Sequence, residues 1–220
     1  MDLRDFTHQY WNHYLSIEDD FMSTIKYVSV DLFNSHAYSI EYTKLILGIG
    51  SEVDVVCKEY CNYIDSIKSP SKINEYAPII LTHEPTIKTQ NIRIIDTVID
   101  IIPWDLWDGT HSPLWWKLYN KIKHQRTDAL TITTDNSGLK LETTHPDYHR
   151  YDSLRGIPYY KFANQENVLK ALGGLFILCM YFHKNISKGL DPKDDGFPEY
   201  ESRLFTLDGW VKNLIIIDGG

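Results

Sequence analysis

Cysteine is scarce in this chain, long apolar runs are missing, and positive charge is outweighed by negative. Three cysteines, Cys57, Cys61 and Cys179, stand among 220 residues. Their odd number and uneven spacing make no disulfide framework and point to a reducing compartment. No Cys-x-x-Cys pair occurs, which argues against a zinc ribbon. Cys57 and Cys61 are four apart and would share one side of a helix; packing explains such a lone pair better than a metal does. The most apolar run, Ala171 to Phe182, has 12 residues, short of the roughly 20 that span a bilayer. The opening Met1-Asp2-Leu3-Arg4-Asp5 lacks the pattern of a secretory signal. The expectation is a cytoplasmic protein without a membrane anchor.

Other absences narrow the chemistry. There is no glycine-rich phosphate loop and no Gly-x-Ser-x-Gly, so nucleotide-driven work and serine hydrolysis have no support. His83-Glu84-Pro85 is not the two-turn zinc motif, because the second histidine is missing and proline interrupts the helix. The expectation is no metal and no cofactor. The formal net charge of −8 deprives the chain of the general phosphate attraction of a duplex DNA binder. A local basic patch remains compatible with nucleic acid.

What the chain has in quantity is aromatics, with 15 Tyr and 6 Trp, and helical periodicity. Tyr14, Ile17, Phe21, Ile25 and Val28 recur at spacings of three and four and predict a first helix over 7–30, with Glu18, Asp19 and Asp20 facing water. Tyr38, Tyr42, Leu45, Ile49, Val53, Val56, Tyr60 and Ile64 predict a second, longer helix, capped by Asn34 or Ser35. Gly48 and Gly50 inside it suggest close approach of a neighbour. Residues 72–111 stay open between strand and helix: Ala77 to Leu81 and Ile92 to Ile102 are rich in β-branched residues. Pro103 to Gly109 reads as a loop. A third helix starts at Ser112-Pro113 and runs to Arg126. Two β-rich arms around Asp135-Asn136-Ser137-Gly138 predict a hairpin within an insertion over 127–160. A last helix is expected over 163–184, with Asn164 as its cap and Gly173-Gly174 admitting a close neighbour. A short β-rich segment follows over 203–220.

The third helix carries the candidate chemistry. Trp115, Leu118, Tyr119 and Ile122 share one face and would dock it. Lys117, Asn120, Lys121 and His124 share the other, with Arg126 just beyond. Cleaving RNA without a metal needs a group of near-neutral pKa to move the proton of a 2′-hydroxyl, and cations or amides for the charge that develops on phosphate. This face supplies those types; it would equally serve as a solvated polar surface. Glu52 on the second helix, with Asp54 and Glu59 nearby in sequence, is the candidate carboxylate to orient His124. His145 to Asp152, with two histidines and two aspartates, reads as a surface loop that could touch a partner together with Arg150 and Arg155.

A layout of four or five helices, one of which carries Tyr119-Asn120-Lys121-Ile122-Lys123-His124, resembles the HEPN superfamily of helical proteins. Phe162 to Leu169 would open that family's last core helix. The resemblance covers about 110 residues in the four helices and leaves out the insertion and the C-terminal segment. It implies a mainly α fold, a HEPN-like helical bundle in a single domain over 1–220. It also implies a metal-independent endoribonuclease of a bacterial toxin–antitoxin or phage-defence system, acting as a homodimer. His124 would be the acid/base and Asn120 its polar partner and a donor to phosphate; from the helix face itself, Lys117 and Lys121 are electrostatic helpers, and Lys121 and Arg126 the candidate phosphate contacts. The family's active motif has an arginine a few residues before its histidine. Here Lys117 stands seven positions before His124, and Arg126 follows it. A second expectation is therefore a non-catalytic HEPN-like module that dimerises or binds a protein partner.

Overall fold

The computed structural model describes residues 1–125, 159–188 and 200–207. The predicted hairpin insertion lies almost wholly outside these residues, as do His145 to Asp152, Arg126 and the chain after Leu207. The described residues are mainly helical, with one small antiparallel sheet.

The chain opens with α1 (Leu3–Phe6), a π-helical turn (Thr7–Trp11) and α2 (Asn12–Thr24), which follow one another without a break. Asp2 caps the start by accepting from the Asp5 N–H at 2.8 Å. The helical stretch thus begins before Thr7 and ends before Ile25, not at Val30. Phe6, Tyr10, Trp11, Tyr14 and Phe21 form its buried side. Glu18 corrects the expectation of a solvated charge: it is 1% exposed. Tyr14 donates to its Oε1 at 2.6 Å, Ser202 Oγ also donates to Oε1, and the Arg203 N–H donates to Oε2 at 3.1 Å. A buried carboxylate is tolerable only with donors of this kind. Tyr14 is one turn away on the same helix, whereas Ser202 and Arg203 come from a segment almost two hundred positions away in the chain.

The long helix α3 spans Ile40–Ile64. Its cap is Ser39, whose Oγ accepts from the Tyr42 N–H at 3.0 Å, rather than Asn34 or Ser35; those two sit in or beside a separate 3-10 turn, Leu32–Asn34. Residues left open by the sequence become α4 (Ile73–His83), despite Pro78 within it, and two strands, β1 (Ile92–Ile94) and β2 (Asp100–Ile101). Asp96 turns the chain between them at φ 60°, a left-handed conformation that aspartate tolerates better than most residues. Then come α5 (Leu114–Gln125) and α6 (Gln165–Ile186), the latter capped by Asn164 accepting from the Asn167 N–H at 3.0 Å. Finally β3 (Phe205–Leu207) pairs with β1, giving the order β2-β1-β3 with Ile92 opposite both Ile101 and Leu207.

α6 is the central helix: α1, α2, α3, α5 and β3 all pack on it. Gly173 meets the side chains of Ile92 and Ile101, and Gly174 meets Trp115 and Trp104, so the sheet and α5 both approach where α6 has no side chain. Cys57, Cys61 and Cys179 are buried in this core. Burial pushes the Cys61 thiol up to about 12. Among the described residues no helix is long and apolar enough to cross a membrane.

Candidate functional site

The aromatic face expected of the third helix docks as its spacing requires. Trp115, Leu118, Tyr119 and Ile122 are all buried in α5, and Trp116 joins them, packing edge-on against Trp115 and tilted against Tyr119. The loop before α5 fixes its position through buried indoles. Trp115 Nε1 donates to the Pro103 carbonyl at 2.9 Å and Trp104 Nε1 to Gly174 O at 3.0 Å. Trp107 Nε1 reaches across to the Ile73 carbonyl at 3.0 Å, and Asn74 Nδ2 donates to Thr110 O at 3.2 Å. One loop therefore holds the start of α4 beside α5. A buried indole or amide needs such a partner, so these bonds also fix the loop's conformation.

The result is a polar cleft of about 440 Å³ between the start of α4 and the side of α5, floored by α3. Lys72, Asn74 and Ser71 come from the α4 end, Asn120 and Lys123 from α5, and Ser51 and Asp54 from α3, with Trp116 and Tyr119 as the apolar wall. Gly50 lets the floor and wall meet: a Cβ there would collide with the Tyr119 ring. Asn120 Nδ2 donates to the Trp116 carbonyl at 3.1 Å, one turn back. The Lys123 ammonium lies 5.5 Å from the Tyr119 ring centroid and 3.4 Å from its hydroxyl. Lys72 caps α4 without a side-chain bond to the backbone. The start of α4 carries the positive end of the helix dipole, and Glu75 in its first turn accepts from the Ser71 N–H at 2.8 Å. Asp54 opposes this charge, and Tyr76 donates to its Oδ1 at 3.1 Å. Burial, together with the Asp54 carboxylate, pushes the Tyr76 phenol up, so it stays a donor.

Of the residues expected to act together, Asn120 lines the cleft. Lys117 and Lys121 are half-buried on α5 and His124 is exposed one turn past Asn120; none of the three lines the cleft. Arg126 lies outside the described residues. Glu52 corrects the expectation that it orients His124. It is half-buried on the side of α3 that faces the N-terminal helices: desolvation raises its pKa, against the pull of His13. Its charge and that of Glu59 add to the desolvation that raises the Tyr10 phenol to about 12. Residues 52 and 54 are two apart and so point to opposite sides of a helix, and Asp54 is the α3 carboxylate in the cleft.

Sequence reasoning passed over Lys72, Asn74 and Lys123. The signal for Lys123 was its place beside His124. Lys72 and Asn74 could not be found without knowing that a helix begins at Ile73. Gly48 also differs from expectation, since nothing lies within 4 Å of the Cβ it lacks. No family model, curated protein or solved structure matches the chain.

Proposed function

We propose that the cleft between α4 and α5 binds the phosphate backbone of an RNA and that His124, one turn past Asn120, serves as acid and base in metal-independent cleavage. The protein would then be an endoribonuclease of HEPN-like type, working as a homodimer in a bacterial toxin or defence system. The observation that carries this reading is the cleft's composition: Lys72, Lys123 and Asn120 gather at the start of a helix in a chain of net charge −8. Two ammonium groups, an amide and a helix N-terminus suit an oxyanion. Trp116 and Tyr119 form the buried wall that holds Asn120 and Lys123 in place. Transfer of the 2′-hydroxyl proton falls to His124, four positions after Asn120 and exposed to substrate.

A second reading, a binding module without catalysis, is favoured by one observation: among the described residues no hydrogen bond or ion pair orients the His124 ring. Catalytic histidines usually have such a partner. One experiment separates the two. The purified protein is incubated with labelled single-stranded RNA in EDTA, beside His124→Ala and Lys123→Glu. The nuclease reading expects cleavage by the wild type, loss of cleavage with retained RNA binding in His124→Ala, and loss of both in Lys123→Glu. Binding without cleavage in the wild type and in His124→Ala leaves the module. No RNA binding by any of the three overturns both.

A further inference from the structure

On the other side of α3 the molecule presents a surface of opposite character. The connection between α2 and α3 exposes large apolar side chains in series: Tyr27 is 84% exposed, Leu32 65%, Phe33 98% and Ile40 76%. Scattered apolar residues are normal on a surface, whereas a contiguous set usually marks a docking site. This set belongs to one segment, and two of its members each line a groove, Tyr27 one and Leu32 the other. The first, about 620 Å³, lies between α2 and α3 and takes in Tyr27, Tyr42 and Leu45. The second, about 390 Å³, runs from Leu32 past Ile99 and Ile102 to the first turn of α6.

The segment is held in place. Gln165 is buried, and its amide donates to the Val28 and Ser29 carbonyls at 3.3 and 3.0 Å. The Gln165 and Glu166 N–H groups donate to Ala37 and Ser35 carbonyls at 2.9 and 3.1 Å. Asp31 accepts from the Phe33 N–H at 2.8 Å, and Asn34 Nδ2 donates to Ser29 O at 3.0 Å. Phe33 therefore projects from a fixed scaffold, which spares a partner the entropic cost of ordering it.

The charge around these grooves names the partner. Their linings include six carboxylates: Asp20 and Glu41 in the first, Asp31, Asp100, Asp105 and Glu166 in the second. They include two lysines, Lys44 and Lys170, bonded to Glu41 and Glu166 at 2.7 and 3.2 Å, and Arg93 pairs with Asp100 at 2.9 Å, which leaves Asp20, Asp31 and Asp105 as the carboxylates not offset by an ion pair among the described residues. A second copy meeting this face about a twofold axis would set carboxylates against carboxylates. An anionic lipid surface is repelled for the same reason. A chain with apolar residues on one side and lysines or arginines on the other satisfies both the ridge and its rims. We propose that the α2–α3 connection and its two grooves dock a cationic, amphipathic segment of another protein.

The test uses the full-length protein and a fluorescein-labelled peptide of leucine and lysine at helical spacing, followed by fluorescence anisotropy. A second peptide carries glutamate in place of lysine. The lysine peptide should bind saturably, at least about tenfold tighter than the glutamate peptide. The doubly substituted Tyr27→Ser, Phe33→Ser protein should lose about tenfold or more. Asp20→Lys with Asp105→Lys should do likewise, one charge in each groove. Asp5→Lys, the charge change of one such substitution placed away from both grooves, should leave affinity within about twofold, which separates docking from general attraction to an acidic protein. All these positions are exposed, and circular dichroism confirms the fold of each variant. Three results overturn the proposal: no saturable binding, equal binding of both peptides, or equal loss in Asp5→Lys. Two more give the surface to another occupant and so overturn it as well: a concentration-dependent dimer abolished by Phe33→Glu, or binding to phosphatidylcholine vesicles abolished by Phe33→Ser.

Discussion

Gly48 and Gly50 lie two residues apart on α3 and look into different halves of the molecule. Gly50 sits beneath the Tyr119 ring, where the floor of the cationic cleft meets its wall. Gly48 opens on the apolar groove, with nothing within 4 Å of where its Cβ would be. The next pair repeats the division: Glu52 is turned toward Tyr10 and His13, Asp54 toward Tyr76 and the cleft. A residue on a helix and the one two places on are about 200° apart. α3 therefore acts as a partition. On one side an acidic chain has collected lysines, amides and a helix start; on the other it has kept carboxylates around exposed aromatics. Overall net charge says little about either surface, because each partner meets a local field.

The largest expected contrast is catalytic. His124→Ala should lower RNA cleavage by about 10²- to 10⁴-fold, the usual worth of a positioned acid/base, and leave binding of the leucine–lysine peptide unchanged. Initial rates in EDTA and anisotropy on the same preparations measure the two. A variant that loses both would mean that the halves are not separate.

The glycines come next. Gly50→Ala forces a methyl group into the Tyr119 ring and should cost about 1–3 kcal/mol, as overpacking does, with weaker RNA binding as the wall moves. Gly48→Ala meets open space in a helix interior and should raise stability by up to about 1 kcal/mol, with RNA binding intact. Urea unfolding of both variants gives the comparison; equal effects would remove the asymmetry of α3.

A smaller effect concerns the carboxylates. Glu52 has its pKa raised above the ordinary 4.5 by desolvation, so the native protein holds that proton to higher pH than the unfolded chain. Stability therefore falls as pH rises from that ordinary value through the raised one. Glu52→Gln should flatten that slope and change stability at neutral pH by less than about 1 kcal/mol. It should leave the pH profile of RNA cleavage unmoved, since Glu52 does not face the cleft. A shifted cleavage profile would restore it as a partner of His124.

The sequence was most informative where one helix packs by one face. The three- and four-residue spacing of Trp115, Leu118, Tyr119 and Ile122 sufficed to orient α5, and Asn164 and the stripe of α6 were equally readable. What it concealed depends on distant segments. Glu18 stands in a run of three acids that reads as solvated, and is buried because Ser202 and Arg203 bring it donors. α4 was masked by Pro78 and by Ile79-Ile80, whose local preferences do not favour helix, until Trp107 and Asn74 tie its start to the loop before α5. The cleft depends on that tie. Three of its polar residues, Ser71, Lys72 and Asn74, therefore had no visible reason to be near Asn120.

The salt dependence of RNA binding tests the central claim most directly. Each single-strand phosphate neutralised contributes about 0.7 to the slope of log affinity against log salt. The account predicts that the double substitution Lys72→Ala, Lys123→Ala lowers that slope by about 1.4 while Asp20→Lys with Asp105→Lys leaves it in place. An unchanged slope in the lysine variant would contradict a phosphate site between α4 and α5.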